Sequence, residues 1–159
     1  MINKILILLL LLLESISIEN NEQELDIKNE TTIEQEQPSP TCTTLELETF
    51  NMINDIRINN GLLPLQWDPE LYDTANIRAT EASISWSHTR PDGSHWSGMS
   101  ERLHGENLAK GYNTADAVVA AWMTSEGHRE NVLRENFSRG AVHFYEGENG
   151  WFWCFHFGY

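Results

Sequence analysis

The sequence predicts an α+β layered domain over residues 44–159, and three observations carry that reading. Three helical patterns come first. Two aromatic, β-rich segments joined by a turn-forming stretch come last, and Gly105 to Ala109 leaves room for a further strand between them. Helices with one apolar stripe and strands with one apolar face must cover each other, so such an order packs as layers around a single core. A chain of 159 residues with 40% hydrophobic content is long enough for one such core.

The chain ahead of this domain reads as address and spacer. Met1 to Lys4 is short and carries one basic side chain, Ile5 to Leu13 is an unbroken aliphatic run, and Ser15 and Ser17 are small residues placed for cleavage after Ser17. Residues 1–17 therefore have the form of a secretory signal peptide, and the apolar run is too short to span a bilayer, which takes about 20 residues. Residues 18–43 are rich in Glu, Asn, Gln and Thr and hold no aromatic side chain. Such a stretch cannot bury enough apolar area to offset its chain entropy and is expected to be a disordered acidic linker.

Within the domain, Thr43 and Glu46 have the spacing of a capping box, and Leu47, Phe50, Ile53 and Ile56 recur every three residues up to a stop at Asn59-Asn60-Gly61. Asp68-Pro69-Glu70 starts a second helix with a cap, a first-turn proline and an acid at the positive helix end; Leu71, Ala75, Ala79 and Ala82 form its narrow stripe. Pro91 and Gly93 make Trp86 to Gly98 a long loop. A third helix begins at Thr114, buries Val118, Val119, Trp122 and Met123, and is expected to stop at Gly127. Ala141 to Tyr145 and Trp151 to Phe157 read as a hairpin closed by Glu146 to Gly150.

A net charge of −14 argues against a nucleic-acid partner and against strong electrostatic binding to anionic membranes. In an exported chain, Cys42 and Cys154 can close one disulfide between the domain's two ends, which would contribute about 2–4 kcal/mol; the alternative is two buried free thiols. The sequence contains no H-E-x-x-H, G-x-S-x-G, P-loop or C-x-x-C motif, which removes the commonest zincin, serine-hydrolase and nucleotide-binding readings. What remains is a scattered set of polar residues: His88 in the loop SHTRPDG, Glu106 in GENLAKG, and His128 in SEGHREN with Ser125 and Glu126 just before it. His143 and His156 alternate with aromatics and read as sheet residues, while Trp86, Trp96, Trp151, Trp153 and Phe155 read as core or cleft-wall groups.

The segments SHTRPDGS, GENLAKG, AWMTSEGHRENVL and NFSRGAVHFY, in this order and spacing, resemble the CAP superfamily of cysteine-rich secretory, antigen 5 and pathogenesis-related 1 proteins, in its compact bacterial-type form. The resemblance covers about residues 44 to 158. It implies an α-β-α sandwich with a central antiparallel sheet, export from the cell, and a cleft lined by two histidines and two acids. His88 and His128 match the histidines and Glu106 the first acid. Ser125 stands where eukaryotic members carry the second acid, with Glu126 one position later. Two imidazoles with carboxylates can hold zinc or another divalent cation. The resemblance further implies a small hydrophobic ligand such as a sterol or fatty acid, or an extracellular protein partner. The leading expectation is thus a secreted ligand-binding or interaction module. The alternatives are a metal-assisted hydrolase using Glu106 or Glu126 as general base, and a structural extracellular domain without activity.

Overall fold

A computed structural model of the chain describes residues 42–159. The expected leader, and the expected linker up to residue 41, lie outside the described residues. The elements run α1 (Thr44–Asn59), β1 (Gln66–Trp67), α2 (Pro69–Ile84), a single 3₁₀ turn (Trp96–Met99), β2 (Gly105–Lys110), α3 (Ala115–Thr124), α4 (Glu126–Val132), β3 (Arg139–Gly147) and β4 (Gly150–Gly158).

The helix starts follow their caps. Thr43 accepts from the Glu46 N–H while the Glu46 carboxylate accepts from the Thr43 N–H, so both halves of the capping box are made. The Asp68 carboxylate accepts from the N–H groups of Glu70 and Leu71 at the head of α2, and Thr114 caps α3 through Ala117. Caps of this kind are worth about 1 kcal/mol each. At the other end of α1, Gly61 takes φ +76°, which lets the Leu62 N–H turn back to the Arg57 carbonyl at 3.0 Å.

The strands form one sheet in the order β1-β3-β4-β2. It is mixed: β3 is antiparallel to β4 and β4 to β2, whereas the two-residue β1 runs parallel to β3 at the edge. The hairpin strands are longer than their aromatic patterns suggest, because pairing continues to Gly147 opposite Gly150 and leaves only Glu148 and Asn149 in the turn.

Both faces of β4 are covered. Trp153, Phe155 and Phe157 pack with Phe50 and Ile53 of α1 and Val118, Val119 and Trp122 of α3, while Phe152 and Cys154 meet Ala75, Ala79 and Ala82 of α2. The alanine stripe lets α2 lie close against the sheet, and the strand reads as a continuous apolar run because it is buried on both sides. Arg57, wholly buried, donates to the carbonyls of Leu63, Val132, Arg134 and Phe137 at 2.8–3.0 Å and so ties α1 to the segment after α4.

Two expectations need correction. The third helix does not run to Gly127. It ends at Thr124, Ser125 is extended at φ −92° and ψ 122°, and Gly127 lies inside α4. Arg129 sets the break, donating from Nη1 to the Met123 carbonyl that α3 leaves unpaired, at 3.0 Å. The Cys42–Cys154 bridge is also not formed, and both cysteines are free. Cys154 is enclosed beneath α2, with its thiol directed to Glu106, whereas Cys42 sits ahead of α1 and donates to the Thr43 carbonyl.

Candidate functional site

The site is built on β2, an edge strand of the sheet. Successive side chains of a strand point to opposite faces. Glu106 accordingly meets Arg78 of α2, and Asn107 turns to the layer of α4, where it donates to the His128 carbonyl at 3.0 Å. Asn131 reinforces that join by donating to Asn107 Oδ1 at 2.9 Å and to the Glu106 carbonyl at 3.3 Å. The loop bearing His88 is fastened to α2: Arg78 Nη2 donates to the Ser87 carbonyl at 2.8 Å, and Arg90 lies 2.7 Å from Glu81, which also pairs with Arg78. His88 and His128 thus reach the strand edge from opposite layers.

Glu106, only 4% exposed, is the centre of this arrangement. Its Oε2 accepts from Arg78 Nε at 2.8 Å and contacts His156 Nε2 at 3.1 Å, while Oε1 lies 2.8 Å from His88 Nδ1. Burial alone raises its pKa, but donation from His156, His88 and Arg78 outweighs burial and carries it from 4.5 down to about 2. Such a carboxylate is a permanent anion and only accepts, so the proton between it and His88 resides on Nδ1. The neutral form of His88 then presents an unprotonated Nε2, on a side chain that is 56% exposed. Burial, and after it the charge of His88, lowers the pKa of His128, so that it is a neutral imidazole at pH 7.

His156 is a sheet residue of β4, as its alternation with aromatics predicts, and it is also a wholly buried partner of this carboxylate, with Nδ1 against Thr74 Oγ1 at 2.8 Å. Its role depends on strand register, which places it directly across from Glu106. Arg78 was passed over too, although a cation inside the Ala75, Ala79 and Ala82 stripe is a readable sign of a buried charge that needs a partner. Glu106, Cys154 and His156 bring three ligand-type atoms within 4.8 Å of one another. The Arg78 guanidinium already occupies that carboxylate, so a cation placed there would face a fixed positive charge. Burial and the neighbouring carboxylate also keep the Cys154 thiol protonated.

Other residues lie apart. Ser125 is half-buried and Glu126 exposed, and neither side chain bonds to the cluster among the described residues. His95 contacts Ser97, His104 packs at a tilt against Tyr159 with ring centroids 4.2 Å apart, and His143 faces Glu46.

Among families of known proteins, the model of the cysteine-rich secretory protein family, CAP, matches residues 50–157. The chain belongs to this family. Its CAP domain is 36% identical over 114 residues to the uncharacterized protein YkwD of Bacillus subtilis (strain 168), a match that covers 67% of this chain and 44% of that protein. The chain thus spans less than half of this curated relative. Among solved structures, an extracellular protein containing a SCP domain from Bacillus anthracis str. Ames is similar, with 26% identity and a TM-score of 0.64 over 71% of this chain and 39% of that one. NaASP2, solved with Zn²⁺, shares the CAP fold at 15% identity and a TM-score of 0.58, over 76% of this chain and 83% of that one.

Proposed function

We propose that this CAP domain is a secreted ligand-binding or interaction module whose cleft takes a divalent metal ion such as zinc, with Nε2 of His88 and the imidazole of His128 as protein ligands. Residues 1–17 serve as its export signal and residues 18–43 as its spacer. The observation that carries the metal reading is the 2.8 Å contact between His88 Nδ1 and a buried, permanently ionised Glu106. A carboxylate behind a histidine sets its tautomer, aims its free nitrogen outward and raises its basicity as a ligand. The lowered pKa of His128 adds a second imidazole in the neutral form that metal binding requires.

When bound, such an ion supplies a Lewis-acidic positive centre to which a carbonyl or anionic group of a ligand can attach. The residues do the remaining work. Arg78 and His156 keep Glu106 charged, Glu106 orients His88, and the two asparagines hold α4 so that His128 stays beside the strand edge. Glu106, with a pKa of about 2, is too weak a base to take a proton from water at neutral pH, and it is fully engaged. Glu126 is exposed and apart from the cluster. This speaks for binding over hydrolysis. The extracellular relative and the zinc-containing structure of the same fold are consistent with export and with a metal.

Calorimetric titration with zinc tests the reading. The wild-type chain is expected to bind, the His88→Ala/His128→Ala double variant to lose binding, and Glu106→Gln to weaken it by about 10- to 100-fold. Equal affinity in the wild type and the double variant would remove the metal from the account.

A further inference from the structure

A second concave feature lies at the opposite end of β2 from Gly105. The last residues of α2, the start of the His88 loop, Lys110 and the tip of the β3–β4 hairpin enclose a depression of about 460 Å³, lined among others by Ala82, Ile84, Trp86, Lys110, Asn149 and Phe152. That volume is in the range of small-molecule pockets. Its floor is apolar and buried, whereas Ile84 and Trp86 on its rim are 76% and 46% exposed. The Trp86 ring stands 6.4 Å from that of Phe152, and the Lys110 ammonium lies 5.1 Å from the Trp86 ring centroid.

Lys110 is the only lysine among the described residues. Arg78, Arg90, Arg102 and Arg139 all face carboxylates, but no carboxylate among the described residues comes within ion-pair distance of Lys110. In a chain of net charge −14 that is an unpaired cation beside an exposed indole. The Asn149 side chain, at the hairpin tip, likewise makes no hydrogen bond to the described residues.

These groups restrict the chemistry of an occupant. A small inorganic anion engages Lys110 and leaves Trp86 and Ile84 in water. A hydrocarbon chain covers Trp86 and Ile84 but strips water from Lys110 and Asn149 without pairing them, which is costly. An occupant that satisfies all four has a flat face of C–H bonds for the electron-rich indole and the Ile84 side chain, hydroxyls for the amide and a negative charge for the ammonium. We propose that this depression binds an acidic saccharide, a sugar ring bearing a carboxylate, with the ring against Trp86 and the carboxylate on Lys110. The site is distinct from the His88–His128 cleft and does not depend on the metal reading.

Titration of the ¹⁵N-labelled full chain with D-glucuronate, with D-glucose, benzoate and hexanoate in parallel, tests this. Glucuronate is expected to shift the Trp86 indole and the Lys110 signals saturably, and glucose to bind about tenfold more weakly for want of the charge. Trp86→Ala and Lys110→Met should each weaken glucuronate binding by about tenfold or more. Lys110→Met changes no packed residue and so guards against a folding defect in the tryptophan variant. The His88→Ala/His128→Ala variant, which abolishes the proposed metal site, should bind glucuronate as the wild type does. The proposal is overturned if glucuronate produces no saturable shifts at these residues, if its binding survives both single variants, or if benzoate or hexanoate shifts the same signals at equal or lower concentration.

Discussion

Glu106 and Glu46 are both shut away from water and both face a histidine, yet they are held in different ways. Glu106 is clamped by the Arg78 guanidinium and by two imidazoles. Glu46 has no guanidinium. Its Oε2 accepts from the Thr43 N–H at 2.7 Å and from the Tyr72 hydroxyl at 3.4 Å. Its Oε1 sits 2.6 Å from His143 Nδ1, which also lies 3.2 Å from the Tyr72 oxygen, and donation from His143 and Thr43 outweighs the burial that would raise the Glu46 pKa. Both carboxylates have lowered pKa values despite burial. The contrast separates two uses of a buried acid. At Glu46 the carboxylate finishes a helix start, where the positive end of α1 favours it. At Glu106 a permanent cation holds the charge so that an exposed histidine can be aimed by it.

The sharpest way to break this contrast is to remove the cation. Arg78→Met leaves Glu106 buried with only imidazoles and should cost about 3–5 kcal/mol of stability, read as a shift in the urea midpoint. Adding Glu106→Gln to that variant should recover part of the loss, because it removes the uncompensated charge. An Arg78→Met protein as stable as the wild type would mean that the ion pair is not a structural element.

Exchanging the acids themselves gives a smaller, ordered pair of effects. Glu106→Gln leaves the buried Arg78 guanidinium with Glu81 as its one carboxylate and should be the more damaging. Glu46→Gln leaves no unpaired cation, and its cost should stay near the 1–3 kcal/mol of a broken buried hydrogen-bond set. Only the first should also weaken zinc binding. The reverse order in denaturation would show that the helix start, and not the clamp, dominates.

Acidification should produce the mildest effect, in two stages. His128 and His156 have folded pKa values lowered mainly by burial, so the fold prefers their neutral forms. That preference costs nothing above about pH 6.5, the unfolded value, and reduces stability as pH falls below it. The glutamates are also lowered; the stability they contribute is full above about pH 4.5 and is lost as pH falls from there, towards about 2 for Glu106. Melting temperature followed from pH 8 to 3 should therefore fall first below 6.5 and again below 4.5, and His128→Asn should reduce only the first fall.

Much of the fold was readable before any geometry. Thr43, Asp68 and Thr114 are caps whose side chains act within three residues, and the stripes of α1 and α2 have a helical period, so local chemistry suffices to place them. The helix breaks at Ser125, where Arg129 takes the Met123 carbonyl, and not at Gly127, and that side-chain contact is one the glycine signal does not reveal. At the site, His88, Glu106 and His128 stand out as residues, but their grouping came from a resemblance to a family and not from spacing. His156 and Arg78 were missed for one physical reason: what they touch depends on which strand lies beside β2 and which helix covers it.

The amino-acid sequence by itself determined where α1, α2 and α3 begin, that an aromatic hairpin follows the helices, and to which family the domain belongs. Those properties rest on neighbours in the chain or on motifs kept in order along it. Only the tertiary structure decided that Cys42 and Cys154 stay apart, that Ser125 and Glu126 stand outside the cluster, and that Glu106 is an anion clamped by Arg78, His156 and His88. Arg78 and Glu106 meet across 28 positions of the chain whereas Cys42 and Cys154 do not meet, and register and layer packing, which no local pattern specifies, set such distances.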